Sequence, residues 1–344
     1  MAVLWLAATT QHRRSKLVGT KSRKSTTQEL FETSLSVVRP GYDMILACEA
    51  CGRPDGRHEY LCTLDVLKPA FWEQLVNRNW RRVGNGAIKP LNDESCCPRF
   101  RLRCAGCAHS QVTTHAECTA FFRVNVSAFH PSLAQKLVLK TLAAVVKDSL
   151  AAATTSQASP AADFDTLVRQ PEVLSSGARP AHTINVALED PSCTGEFIAI
   201  YAKSKTPNMP DIQSGRHGVI PENAMLFQSL FCKYKVDGRD RSLGTKFLVL
   251  RFDGRVVALH VLDVLPGSIA SAKLIIDSSA LPDVDLKTFM HLRTIALARQ
   301  LGKTYYHPGM YSHGDAKSHE LVHFRPVSIL DPVCPHLACS GQLR

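Results

Sequence analysis

The stretch FLVLRF-DG-RVVALHVLDVLP, from Phe247 to Pro266, decides the architecture of the second half of the chain. Two β-branched and apolar runs flank Asp253-Gly254, a dipeptide that tolerates the positive φ of a tight type I′ turn, so the stretch predicts a β-hairpin. ASAKLIID, from Ala270 to Asp277, reads as a further strand. Asp285 stands at the cap position of a helix predicted from Leu286 to Leu301, with Phe289, Leu292 and Ile295 near one face. Tyr305-Tyr306 resumes a strand-like run, before a polar tail rich in histidine and glycine that reads as loop. Strands followed by a helix imply an α/β sandwich.

Working back toward the N-terminus, residues 151–181 are rich in small residues and proline (AAATTSQASPAAD, SSGARPA) and read as a linker. Before it, Pro131 to Leu150 predicts an amphipathic helix through Leu133, Leu137, Lys140, Leu142 and Val145 that closes a first domain. The expected organisation is a basic extension over 1–40, a cysteine-rich domain over 41–150, the linker, and an α/β domain over 182–344. A chain of 344 residues is long enough for two cores of ordinary size.

A hydrophobic content of 45% and a charged content of 21% belong to a folded globular protein and exclude general disorder. The formal charge of +11 favours a polyanionic partner, RNA first, because lysines and arginines beside phosphates release condensed counterions. Charge that serves solubility is the blander reading. No run approaches the roughly 18 apolar residues of a spanning helix, so membrane insertion is not expected. Arg13, Arg14, Lys16, Lys21, Arg23 and Lys24 follow a short apolar run from Ala2 to Ala8 with no acid between them. They fit a mitochondrial presequence or a basic extension, and the cytoplasm is the expected location.

Eight of the 12 cysteines (Cys48, Cys51, Cys62, Cys96, Cys97, Cys104, Cys107 and Cys118) fall in one early segment. Without a secretory cleavage signal, reduced thiols are expected, and Cys48-Glu-Ala-Cys51 lets one turn aim two sulfurs at one ion. Spacing alone joins Cys48 and Cys51 to Cys104 and Cys107 as a zinc-ribbon-like site. His58, His109 and His115 are further ligand candidates, and inert buried thiols are the alternative.

FWEQLVNRNWRRVGNGAIKP (71–90) followed by CCPRFRLRC (96–104) resembles eukaryotic arginyl-tRNA protein transferases. So do HPSLAQKLVLKTL (130–142), LRFDGRVVALHVLDVLP (250–266), HLRTIALARQL (291–301), YYHPGMYSH (305–313) and FRPVSIL (324–330). The resemblance covers about residues 44–142 and 240–331 and marks a divergent, shortened member. It departs at Phe247-Leu248, where the family has His-Gln, at Asp277-Ser278-Ser279 in place of DPD, and at Asp315-Ala316-Lys317 in place of CPK.

The resemblance implies an α+β protein with a cysteine-rich metal-binding domain followed by an acetyltransferase-like (GNAT-type) α/β domain. The implied activity is transfer of arginine from arginyl-tRNA to the α-amine of acceptor proteins with N-terminal Asp or Glu, marking them for N-degron (ubiquitin–proteasome) degradation. In place of the spacing-based set, the implied metal ligands are Cys48, Cys51, Cys96 and Cys97, holding zinc or an iron–sulfur cluster. Asp263 is the expected functional acid, gripping the arginine guanidinium or orienting the amine, with a turn-capping role as the alternative. Asp263→Asn is expected to preserve folding. His313 is a second catalytic candidate, while Arg325, Lys317, Tyr311 and Asp277 are candidates for substrate binding. Arg81, Arg82, Lys89 and Trp80 are expected to contact RNA. The rivals are a catalytically impaired, metal-dependent RNA-binding adaptor and an acetyl-CoA-dependent acetyltransferase. The second would need a glycine-rich pyrophosphate loop that GSIASAK after Pro266 does not supply.

Overall fold

The computed structural model describes residues 36–47, 52–84, 86–91, 96, 119–147, 163–176, 180–205, 221–233, 236, 242–312 and 323–330. Near the N-terminus, β1 (Val37–Leu46), β2 (Arg57–Val66), β3 (Arg81–Val83) and β4 (Gly86–Pro90) form a sheet of order β1-β2-β4-β3. Helix α1 (Pro69–Val76) connects β2 to β3 and starts on a proline, whose missing N–H is harmless in the first turn. A register shift in β1 between Arg39 and Tyr42 brings Gly41 against β2. Its N–H donates to the Tyr60 hydroxyl at 2.9 Å.

The larger sheet has seven strands in the order β11-β5-β10-β9-β8-β7-β6. Its strands are β5 (Thr119–Asn125), β6 (Ile184–Glu189), β7 (Gly244–Phe252), β8 (Arg255–Val264), β9 (Ser268–Ile276), β10 (Tyr305–Ser312) and β11 (Val327–Leu330). The predicted hairpin is β7–β8, with Phe252 paired to Arg255 and positive φ at both Asp253 (48°) and Gly254 (76°), as a type I′ turn requires. Both strands are apolar on both faces because each face is covered. Leu248, Leu250, Ala258 and Leu262 join the core under α2 (Leu133–Val146), α3 (Phe164–Ser175) and α6 (Leu286–Gln300). Phe247, Val249, Leu259 and Val261 pack on the other side against α4 (Gly195–Lys205) and α5 (Pro221–Phe227), which runs on into a π-helical turn, Gln228–Lys233.

Helix α6 starts where predicted, with the Asp285 side chain accepting from the Thr288 N–H at 3.0 Å. It is buried on nearly every side, from Leu286 to Ala298, rather than along one face. Elsewhere the structure departs from the sequence reading. Residues 163–176, within the stretch read as a linker, carry α3, which buries Phe164 and Val168 and is tied to α6 where Arg293 Nε donates to Glu172 at 2.9 Å. In α2, Leu133 and Leu137 are 86% and 55% exposed, while Gln135, Leu139, Leu142 and Val146 face inward.

β5 and α2 were assigned to the first domain, but both are built into the second. β5 lies between β10 and β11, and Arg299 of α6 donates to the carbonyls of Val126 and Phe129, each at 2.6 Å. The histidine- and glycine-rich tail also supplies strand β11. No helix among the described residues is long and apolar enough to cross a membrane. A Cβ placed on Gly41 would lie 1.8 Å from the Leu61 carbonyl oxygen. Gly41→Ala is therefore expected to lower stability by about 1–3 kcal/mol, read as an earlier urea midpoint with an unchanged slope.

Candidate active site

β9 and β10 run parallel, joined through α6, and share three rungs: Tyr305 with Ser268, Tyr306 with Ile269, and His307 with Ala270. Beyond them the strands part. β9 continues along β8 to Ile276, while β10 continues along β5, with a register break between Tyr306 and Gly309. The sequence explains the break: Pro308 has no N–H to give a ladder, and Gly309 holds φ at 127°, a value that side chains disfavour. Among the described residues, the edge of β9 past Ala270 has no strand against it on that side.

On the α6 side of the parting lies a buried polar chain. Tyr306 Oη and His291 Nδ1 are 2.6 Å apart, His260 Nε2 and Ser271 Oγ 2.8 Å, and His260 Nδ1 and Thr294 Oγ1 3.1 Å. Thr294 donates to the Met290 carbonyl at 2.7 Å, so it must accept from His260 Nδ1–H. Ser271 then donates to His260 Nε2 and, being bonded to Tyr306 as well, accepts from it. His291 Nδ1–H donates to Tyr306, which completes one consistent set of directions. Burial, with the neighbouring His291, holds His260 well below the usual histidine range. Burial and Lys287 bring His291 down to about 3, and burial pushes the Tyr306 phenol well up.

On the opposite face, the Arg123 guanidinium of β5 stacks over the Tyr305 ring at 4.3 Å, and both residues adjoin His307 in the paired strands. His307 and Arg123 are 5% and 7% exposed. Burial first, and Arg123 second, bring His307 down to about 3.

The smaller sheet docks on this face at the closed end of the β8–β9 hairpin. Glu73 of α1 accepts from the Gly267 N–H at 2.9 Å and from the Ser268 hydroxyl at 2.6 Å. Beside it, Asp263 receives four donors. Arg82 Nε and Trp72 Nε1 donate to Oδ2 at 2.9 and 3.0 Å, and Arg82 Nη2 and Thr245 Oγ1 donate to Oδ1 at 2.8 and 2.7 Å.

The structure therefore joins two predicted site residues, Asp263 and Arg82, to each other. The guanidinium that Asp263 grips is Arg82, 181 positions away, and both side chains are almost fully buried. Arg82 faces this carboxylate rather than a phosphate. Arg81 pairs with buried Glu59 at 3.6 Å, Trp80 stands edge-on to Tyr60, and Lys89 is half-buried in β4 opposite Tyr60.

Asp277 directly follows β9, where it accepts from Lys203 Nζ at 2.8 Å and from the Ser279 hydroxyl at 2.6 Å. Burial would raise its carboxyl, but Lys203 and Ser279 outweigh that and hold it below the usual range. Arg325 is exposed just before β11, and Tyr311 lies on β10 opposite Ala120. Of the thiol quartet, Cys96 lies among the described residues; its N–H donates to the Gly56 carbonyl at 2.8 Å. Cys62 is core, and burial pushes its thiol up. Cys48, Cys51, Cys97, Cys104, Cys107, Cys118, His109, His115, His313 and Lys317 lie outside the described residues.

Residues 209–331 match the family model described as "Arginine-tRNA-protein transferase, C terminus". The match takes in little more than a third of the chain, and over this C-terminal region the chain is similar to that family. The matched span takes in the β7–β8 hairpin, β9, α6, β10 and β11, and so both strands of the parting. Two solved structures are also similar. One is the C-terminal domain of a protein described as a lysylphosphatidylglycerol synthetase from Agrobacterium fabrum, at 12% identity and a TM-score of 0.29, covering 57% of this chain and 48% of that one. The other is the L-PGS of Bacillus licheniformis, at 10% identity and the same TM-score, covering 57% and 47%. The chain spans about half the length of each, and likeness at this level decides neither fold nor activity.

Reading sequence alone missed His307, Arg123 and the His260–Ser271–Tyr306–His291 chain. The available signal was His307-Pro308-Gly309, a ladder breaker directly after a strand.

Asp263→Asn keeps the shape of the side chain but leaves the buried Arg82 without its charge partner. The sequence reading expects this variant to fold normally. The geometry instead predicts a loss of about 3–5 kcal/mol in urea unfolding, partly recovered in Asp263→Leu with Arg82→Met, where no buried charge remains.

A second expectation concerns acid. Unfolded histidines take up protons near ~6.5, whereas His291 and His307 do so only near 3 in the fold. Unfolding therefore binds protons between those values. Stability is full above the unfolded pKa and falls as pH drops through the window, by up to about 1.4 kcal/mol per pH unit for each group. Denaturant unfolding from pH 7 to pH 5, above the carboxylate range, measures the slope.

Proposed function

We propose that the chain transfers arginine from arginyl-tRNA to the α-amine of acceptor proteins with N-terminal Asp or Glu. The observation that carries the reading is the family match over a parallel β9–α6–β10 unit whose strands part at a buried polar centre. This arrangement fits an acetyltransferase-like (GNAT-type) fold, in which backbone amides at parted strands face an acyl carbonyl and its developing oxyanion. The aminoacyl ester of tRNA is already activated. The protein therefore has to align a free amine with that carbonyl and exclude competing water, and no covalent enzyme intermediate is required.

The remaining assignments follow. The exposed Arg325, with Lys317, receives the acidic side chain of the acceptor. Arg81, Lys89 and Trp80, around the smaller sheet, form the RNA-facing surface of the basic chain. Asp263 acts through position: by holding Arg82 and Trp72 it fixes the smaller sheet against the hairpin end that leads into β9. Tyr311, on β10, and His313 are assigned to the same transfer site.

Cys48, Cys51, Cys96 and Cys97 supply a four-thiolate set that suits zinc or an iron–sulfur cluster. The bond from Cys96 to Gly56 supports this, because it brings Cys96 beside a residue five positions after Cys51 in the sequence. Such a group would brace the smaller sheet. The product's place in an N-degron (ubiquitin–proteasome) route, and a cytoplasmic setting, belong to the same proposal.

The decisive assay incubates purified protein with radiolabelled arginyl-tRNA and a peptide that begins with Asp. Label is expected in the peptide, and none when its α-amine is acetylated. Absence of label transfer, with the arginyl-tRNA shown to be intact, would refute the reading.

A further inference from the structure

Among the described residues, His307 is the exception among the buried histidines. His260 and His291, in the same core, each have a partner (Ser271 and Thr294, and Tyr306). Both ring nitrogens of His307 are buried with no hydrogen-bond partner among the described residues. Buried polar groups are almost always paired, since leaving one unmade forfeits its hydration without return. A core position that served packing alone would be better filled by leucine. The unpaired imidazole also stands at a particular place, the last rung of the β9–β10 ladder, where the two strands separate. By strand alternation it shares a face with Tyr305, under Arg123, opposite the face that carries Tyr306.

We propose that His307 is the residue that receives the acceptor's α-amine, its imidazole accepting a hydrogen bond from the amine N–H beside the strand parting. The inference rests on the transferase reading above and adds to it the group that holds the nucleophile. The surroundings suit the task. A buried position beside a guanidinium disfavours a second cation, so the acceptor enters as the free amine, the form that carries a lone pair. The same surroundings keep the imidazole unprotonated and able to accept.

In the step itself the nitrogen lone pair attacks the carbonyl carbon of the aminoacyl ester and a C–N bond forms. The bond from that carbon to the ribose oxygen breaks. The departing oxygen takes up the proton that the nitrogen gives up, and His307 ends the cycle unchanged. No oxidant or further co-reactant is needed.

The test uses the full chain and the variants His307→Leu, His307→Asn and His307→Gln. His307→Leu removes an unsatisfied group, so its Tm is expected to stay level or rise, while kcat/KM for an Asp-starting peptide falls about ten-fold or more. KM for arginyl-tRNA is expected to stay the same. At least one of the amide variants, each of which keeps an acceptor atom, is expected to recover part of the loss.

Binding of the same peptide, and of a des-amino peptide in which hydrogen replaces the α-amine, is measured calorimetrically without tRNA. The losses from removing the amine and from His307→Leu are expected to be non-additive, because each removes the same contact. Full transfer by His307→Leu, additive losses in binding, or a Tm that falls in step with activity in all three variants would overturn the assignment. If the binding cycle is non-additive but the wild-type protein transfers no arginine, the amine site stands and the transferase reading falls.

Discussion

The carboxylate of Asp263 is the fixed point of the molecule. Four donors from three parts of the chain converge on its two oxygens: Arg82 twice, Trp72 and Thr245. A carboxylate has about four lone-pair directions, and here each is used. Taking an arginine and an aspartate out of water is expensive, and the expense is offset only by near-ideal, fully bonded geometry. Such geometry is available in one docking of the smaller sheet. The pair thereby selects an arrangement more than it adds stability. Glu73, bonded to Gly267 and Ser268 at the turn between β8 and β9, reinforces the same docking one step closer to the parting.

From that seam the consequences run along the sheet. The β8–β9 turn is held from one side by α1, and the start of β9 sets the three rungs shared with β10. Pro308 and Gly309 then turn β10 toward β5. The polar chain from Thr294 through His260, Ser271 and Tyr306 to His291 lies under one face of this division, and His307 with Arg123 lies on the other. Satisfied polar groups on one side give rigidity. The imidazole on the other side is left with both nitrogens unused by the described residues.

Local signals were legible in the sequence. Asp253-Gly254 specified its turn through the φ values it permits, and Asp285 specified the start of α6 through a bond three residues long. Helix α3 is equally local, with Phe164, Leu167, Val168 and Pro171 at helical spacing, but it sits between the stretches of small residues that read as a linker. Other features depend on partners far along the chain. Asp263 and Arg82 were each recognised as important, yet were given separate ligands, because nothing in either neighbourhood says that they meet. The near-complete burial of α6 follows from α2, α3 and the sheet packed around it, which no periodicity in its own residues foretells. An imidazole left without a partner is likewise a property of the assembled core, invisible until every neighbour is in place.

The position of β5 has a consequence for how the chain can be divided and how it folds. This strand, encoded before residue 126, separates β10 from β11, which are encoded after residue 304. A fragment beginning at residue 182 would contain every element of the matched span, yet its last strand would have nothing to pair with. During synthesis, β5 must wait for some 180 further residues before either neighbour exists, and loop closure over that separation is slow. The sheet at the β9–β10 parting therefore closes only after both halves of the chain are present, so neither half is a self-sufficient piece.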